Sequence, residues 1–199
     1  PTATVYKKAG DTLSVNYIYT ETNPSSIQLN VSDNNNPAGE ATFGTGLISG
    51  TSITRNDSVI INPTVLEGTY NVTAVVIDRV SQRGTGSLTQ IVVIDNSAPS
   101  ASITSPAPGA NVSGSISIAT SVSDVGSAGI ERVEFFVDGG LHLTNRTSSY
   151  GFTLNTTQFL DGIHTLSLRA YDNANNSVQT APINVTVINK VPTVNITFP

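Results

Sequence analysis

The sequence predicts an all-β protein of two tandem seven-stranded β-sandwiches, on three observations. Ser and Thr, 23 and 26 of the 199 residues, make up about a quarter of the chain, and with frequent Val and Ile they favour strands over helices. Pro-led stretches recur as "PTATVY" at Pro1, "PSASIT" at Pro99 and "PTVNIT" at Pro192, the sign of an internal repeat. Between them apolar residues alternate with polar ones, the period of a half-buried strand.

Taken in order, Leu13, Val15, Tyr17 and Tyr19 alternate in the first repeat, then Ile27, Leu29 and Val31, then Tyr70, Val72, Ala74 and Val76. In the second, Ile116, Ile118 and Val122 are followed by Val133, Phe135 and Val137, and by Leu166, Leu168 and Ala170. "EGTYNVTAVVID" (Glu67 to Asp78) aligns without gaps on "DGIHTLSLRAYD" (Asp161 to Asp172), each an acid, a Gly, an alternating strand and an Asp. "GTGLISGTS" (Gly44 to Ser52) reads as a Gly-rich loop at a strand edge. Short strands punctuated by Gly, Pro, Asn and Asp suggest sandwiches of immunoglobulin type. The predicted organisation is residues 1–98, 99–191, and 192–199 as the first strand of a third repeat, with helix close to nil.

Composition narrows the function classes. Cys, Met and Trp are absent, which excludes a disulfide framework and thiolate metal sites. Net charge is −5, with Lys7, Lys8 and Lys190 the only lysines. No basic stripe suits a phosphate backbone, so nucleic acid is not an expected partner. No run has the length and apolarity of a membrane-spanning helix.

The stretches "VVIDNSAPSASITSPAPGANVSGSISI", "GIERVEFFVDGG", "DGIHTLSLRAYDNANN" and "INVTVIN" resemble the tandem immunoglobulin-like repeats of bacterial and archaeal surface and secreted proteins. The resemblance covers the second repeat along its length and the first from Glu67 onward. It implies an extracellular location and a role as spacer, stalk, adhesin, surface-layer subunit or accessory module. Sequons at Asn30, Asn56, Asn71, Asn111, Asn145, Asn155, Asn175, Asn184 and Asn195 exceed what this composition gives by chance, and they favour a glycosylated exterior. Thr-rich strands also produce sequons freely, and Asn71 and Asn184 fall within strands.

Catalysis finds little support. Nucleophile–base chemistry needs a base beside a Ser or Thr. The two histidines, His142 after the "DGG" turn and His164 at the position matching Tyr70, belong to no recognisable motif. The fragment is expected not to be an enzyme. Lys7 or Lys8 and Asn96 raise the alternative of a Lys–Asn isopeptide bond of the kind some surface sandwiches form, but Asn96 reads as linker and the adjacent lysines as solvent-exposed.

Sandwich topology gathers Asp11, Glu67, Asp95 and Asn96 at one pole of the first repeat, and Asp124, Asp172 and Asn173 at a pole of the second. Ca²⁺ takes six to eight oxygen ligands of these types. The layout, with "DNSAP", resembles the calcium linkers between cadherin repeats, which implies a Ca²⁺ site at the junction of domains 1 and 2. "IDNSAP" has fewer acids than the cadherin linker, and at the second junction "INKVP" places Lys190 where an acid would be. The alternative is that Asp78 and Asp172 only end their strands in Asx turns.

The leading expectation is a structural repeat section of a cell-surface protein of surface-layer, stalk or filament type, partnered by further copies of itself. The alternative is an adhesive or carbohydrate-binding accessory module, whose partners would be glycans or cell-surface proteins. Tyr6, Tyr150, Phe152, Tyr171 and Phe198 are its candidate sugar-facing aromatics, though they form no row.

Overall fold

The computed structural model describes residues 4–20, 24–33, 36–47, 52–61, 65–78, 83–190 and 194–195, with side-chain surroundings for 4–15, 58, 60–61, 65–71, 91–190 and 194–195. The chain divides into two compact units. The first is Pro1–Ser97 with Val125–Gly129 and Asn173–Asn176; the second is Ala98–Asp124, Ile130–Asp172 and Ser177–Pro199.

The first unit carries β1 (Thr4–Lys7), β2 (Thr12–Thr20), β3 (Pro24–Asp33), β4 (Asn36–Leu47), β5 (Ser52–Ile60), β6 (Gly68–Asp78) and β7 (Arg83–Ile94). One sheet has the order β1-β7-β6-β3-β4 and the other pairs β2 with β5. Among the described residues of this unit only β1 pairs in parallel, setting Thr4 to Lys7 against Ile91 to Ile94 of β7. Leu13 and Val15 are buried at 2% and 1% exposure, alternating with exposed Thr12 and Ser14, as a one-sided strand needs. Of the Gly44 to Ser52 stretch expected as a loop, 48–51 lie outside the described residues, and its first part is strand instead. Gly44 to Leu47 continue β4, where Thr45 pairs with Gln28, because an outer strand tolerates glycine when β3 supplies its hydrogen-bond partners.

The second unit contains β8 (Ser100–Ser105), β9 (Asn111–Val112), β10 (Ser115–Ser123), β11 (Ile130–Val137), β12 (Gly140–Asn145), β13 (Phe152–Asn155), β14 (Gly162–Asp172), β15 (Ser177–Gln179) and β16 (Ile183–Val187), with one 3-10 turn at Thr156–Gln158. The sheets are β13-β10-β8 and β12-β11-β14-β16-β9, with β15 also on β14. Pro106 and Pro108, and later Pro182, account for the extra pieces. Between β8 and β9, "PAPG" lacks amides for a continuous ladder. The strand is antiparallel to β10 before the break and parallel to β16 after it, so it changes sheets. Pro182 likewise separates β15 from β16. There the Leu168 amide donates to Thr180 Oγ1 (3.1 Å) and the Thr180 amide to the Leu168 carbonyl (2.9 Å). The break therefore leaves no polar group of Leu168 unpaired, as burial requires.

The core of this unit is Val112, Ile118, Val133, Phe135, Leu154, Leu166, Leu168, Ala170, Val185 and Val187. Valine is the commonest core residue, because a β-branched side chain fills a pleated surface with little rotamer freedom to lose. The third-repeat expectation for residues 192–199 lies outside the described residues, apart from Val194 and Asn195.

Candidate functional site

In both units the chemistry-bearing residues collect around an acid–Gly turn that opens a long strand. Gly68 and Gly162 begin β6 and β14 with φ of 155° and 142°, a region that disfavours a side chain. The preceding acids, Glu67 and Asp161, both receive the chain that leaves the last strand. The Asn96 amide donates to Glu67 Oε1 at 2.9 Å, and Ser97 Oγ donates to the same carboxylate at 2.9 and 3.1 Å. In the second unit the Asn189 amide donates to Asp161 Oδ1 (2.9 Å) and the Lys190 amide to Oδ2 (3.1 Å). The Asn189 amide, aided by the Lys190 amide and charge, holds the Asp161 carboxyl below its usual 3.8 against the cost of desolvation.

Asp95 and Asn189 occupy matching places one residue beyond the last buried Ile94 and its counterpart Ile188. Asp95 is fully buried. Its Oδ1 accepts from the Ser97 amide (2.9 Å), an Asx turn, and its Oδ2 from the Ala128 amide (2.7 Å). A Cβ on Gly126 would fall 2.1 Å from both carboxylate oxygens, so only glycine fits there. Asn189 serves its own unit: Oδ1 accepts from the Gly114 amide (3.1 Å) and from Thr156 Oγ1 (3.0 Å), and Nδ2 donates to the Thr156 carbonyl (2.9 Å).

The other expected metal ligands sit as follows. Asp11 Oδ2 accepts from the Lys8 amide at 3.0 Å, and Asn96 Oδ1 from the Ala9 amide at 2.6 Å. Each therefore ties the turn after β1 within the first unit. In the second unit, Asp124 and Asp172 bring carboxylate oxygens within 4.8 Å of one another, and Asp172 is 1% exposed. Asn173 Nδ2 donates to the carbonyls of Ala128 and Gly129. Lys8 Nζ donates to the Asn175 carbonyl at 2.9 Å. Contrary to the sequence reading, Lys7 and Lys8 are half-buried, because the turn after β1 lies against its own sandwich.

The matched positions Tyr70 and His164 close the same corner. Tyr70 Oη donates to the Leu66 carbonyl at 2.7 Å, a tyrosine corner. His164 Nε2 lies 2.8 Å from the Leu160 carbonyl, and its Nδ1 lies 2.6 Å from Asp138 Oδ2. Asp138 sits in the β11–β12 turn at φ 51°, and its Oδ1 accepts from the Thr165 amide (2.8 Å). The hydrogen bond to Asp138, then the Leu160 carbonyl and the Asp138 charge, raise His164 above its usual 6.5 despite desolvation. Burial opposes ionisation of Asp138, but the Thr165 amide and His164 outweigh it and hold the carboxyl below 3.8. Sequence alignment placed His164 opposite Tyr70 but carried no signal for Asp138 beyond its "DGG" turn.

His142 and His164 both pack on Phe159, with ring centroids 6.1 and 5.5 Å away. Phe152 stacks between Phe135 (4.6 Å) and His142 (5.8 Å). The Tyr171 ring is covered by the Arg132 guanidinium at 3.6 Å, and Tyr150 Oη donates to the Ile130 carbonyl at 3.3 Å. Tyr6 is half-buried, and none of these four aromatic candidates is exposed; Phe198 lies outside the described residues. Among the sequons, Asn111, Asn155, Asn175, Asn184 and Asn195 are exposed, while Asn71 and Asn145 are half-buried. Asn145 Nδ2 is engaged by the Gly151 carbonyl at 2.9 Å. The side chains of Asn30 and Asn56 lie outside the described residues. Among the described residues no helix is long and apolar enough to cross a membrane.

Residues 99–168 match the family model of a bacterial Ig domain. None of the curated proteins matches the chain. Among solved structures, the fibronectin(III)-like modules of Clostridium thermocellum CbhA align with all of this chain and 97% of their own, at 20% identity and a TM-score of 0.49. A tetra-tandem repeat from the extending region of a large adhesion protein aligns with 90% of the chain and 50% of its own, at 14% identity and a TM-score of 0.39. The endo-β-1,4-mannanase of Thermotoga petrophila aligns with 48% of the chain, which spans 21% of that enzyme, at 22% identity and a TM-score of 0.39.

Proposed function

We propose that the chain is a non-catalytic spacer section of an extracellular cell-surface protein, of surface-layer, stalk or filament type, repeated to set distance and to assemble with further copies. The observation that carries this reading is the twice-built exit. Glu67 takes the Asn96 amide and Ser97 hydroxyl, and Asp161 takes the Asn189 and Lys190 amides. An element that sets spacing needs the chain to leave each module in a fixed direction, and hydrogen bonds to a module's own carboxylate supply that without a ligand. The histidines support the same reading, since His164 is committed to Asp138 and Leu160 rather than to a nucleophile. Sedimentation velocity over a wide concentration range, with a glycan array on the same preparation, tests it. Self-association without glycan binding is expected; glycan binding by a monomer would favour the accessory-module alternative.

The exterior location carries two further proposals. Asn111, Asn155 and Asn184, exposed on the second unit, are glycan acceptors, and intact mass of the natively produced protein would show added hexose-type masses. Asp124 and Asp172, from the set the sequence named, bind Ca²⁺. Two carboxylates within 4.8 Å, one of them buried, are favoured by a neutralising cation. Calorimetric titration with Ca²⁺ is expected to give saturable heat. No heat, and no rise in Tm with millimolar Ca²⁺, would leave these acids as strand-end turns.

A further inference from the structure

We infer that His164, held between Asp138 and the Leu160 carbonyl, is a proton-controlled clasp on the corner of the second unit, closed by the imidazolium and slackened by the neutral ring.

A carbonyl oxygen only accepts, and so does an ionised carboxylate. His164 meets one at each ring nitrogen, 2.8 Å at Nε2 and 2.6 Å at Nδ1. A neutral imidazole has a single N–H, so one of these contacts would set a lone pair against a lone pair. The imidazolium has two and satisfies both. The ring joins two segments distant in sequence, the β11–β12 turn through Asp138 and the residues before β14 through Leu160. Asp138 is itself anchored by the Thr165 amide, so loosening the ring loosens one closed loop of hydrogen bonds.

Other charges on the elements around the ring do not replace this partner. On β16, Val185 pairs with His164 between Asn184 and Thr186, and that strand carries no charge. Asp161 is occupied by the Asn189 and Lys190 amides. On β11 the charged Glu131, Arg132 and Glu134 sit toward the far end, Glu134 opposite Arg169, and are paired among themselves. His142 on β12 reaches the site through the Phe159 ring. The first unit provides the internal control: Tyr70 closes the matching corner with a phenol, which keeps its proton across neutral pH.

The sign follows from the raised folded-state value of His164. Its contribution is complete below the unfolded value of 6.5 and is lost as pH rises through the higher folded value. Two measurements on the full chain test this. Ring ¹⁵N spectra, assigned with His142→Gln, are expected to show both His164 nitrogens protonated below a midpoint that lies above 6.5. The Tm of the second unit is expected to fall by a few degrees between about pH 6 and pH 9, and His164→Tyr, which copies the first unit's corner, removes that fall. A midpoint at or below 6.5, or an undiminished fall in His164→Tyr, overturns the inference. If that variant does not fold, the wild-type ring titration decides alone.

Discussion

The first unit closes its corner with Tyr70 and the second with His164; just past its last strand the first places Asp95 and the second Asn189. The comparison separates what the fold demands from what each copy adds. Common to both are an acid before a positive-φ glycine, a donor reaching back four residues to a leucine carbonyl, and two groups of the departing chain bound to the acid. The partners differ. Tyr70 needs one acceptor, whereas His164 needs two and so recruits Asp138. Asp95 is a buried carboxyl group that accepts the Ser97 and Ala128 amides. Asn189, a neutral amide, both donates and accepts, and it binds Gly114 and Thr156 without a charge to neutralise.

The sharpest way to break that contrast is at the buried ends. Asp95→Ala strands the Ala128 and Ser97 amides and should destabilise the first unit by about 3 kcal/mol, while Asn189→Ala should cost the second about 2 kcal/mol. Residue-resolved hydrogen exchange reads each unit separately; equal losses in both units from either change would show that the two ends are not independent. Gly126→Ala should resemble Asp95→Ala, because a methyl group would displace the carboxylate, at about 2 kcal/mol. Urea unfolding of the single variants and the double variant checks this, with a sum well short of additive expected.

At the corners the effects are smaller. Tyr70→Phe removes one hydrogen bond and should lower stability by about 1 kcal/mol, equally at pH 6 and 8, by denaturant titration at both. The smallest effect belongs to Asp161, whose carboxyl is held below 3.8. Its contribution should be present above that value and disappear as acid is added through the lower folded value. Asp161→Asn should flatten that acid limb in a pH series of melting curves.

Much of this comparison was legible in the sequence. The gap-free match of Glu67 to Asp78 on Asp161 to Asp172 set Tyr70 opposite His164 and acid opposite acid, because strand registers follow period-two patterning. The alternation around Leu13 and Val15, Val133 and Phe135, and Leu166 and Leu168 marked their strands. Less legible was what the acids do. Asp11, Glu67, Asp95 and Asn96 share a pole by topology, but whether a carboxylate meets a cation or an amide depends on turns of two or three residues. In the structure each of the four accepts at least one backbone amide, and an oxygen that does so keeps a lone pair for a further ligand. Asp138 was out of reach because its partner lies 26 residues away and a turn Asp usually serves only its own turn. The change of sheet at "PAPG" follows from proline chemistry, yet period alone does not say which sheet receives Asn111 and Val112.

The account stands on the claim that each repeat binds its own departing chain through the acid before its glycine. Amide hydrogen exchange at Asn96, Asn189 and Lys190 measures this directly. Protection comparable to that of the strand amides next to them, lost at Asn96 in Glu67→Ala and at Asn189 and Lys190 in Asp161→Ala, is the expected result. Exchange at the rate of an unstructured peptide in the unaltered chain would contradict it.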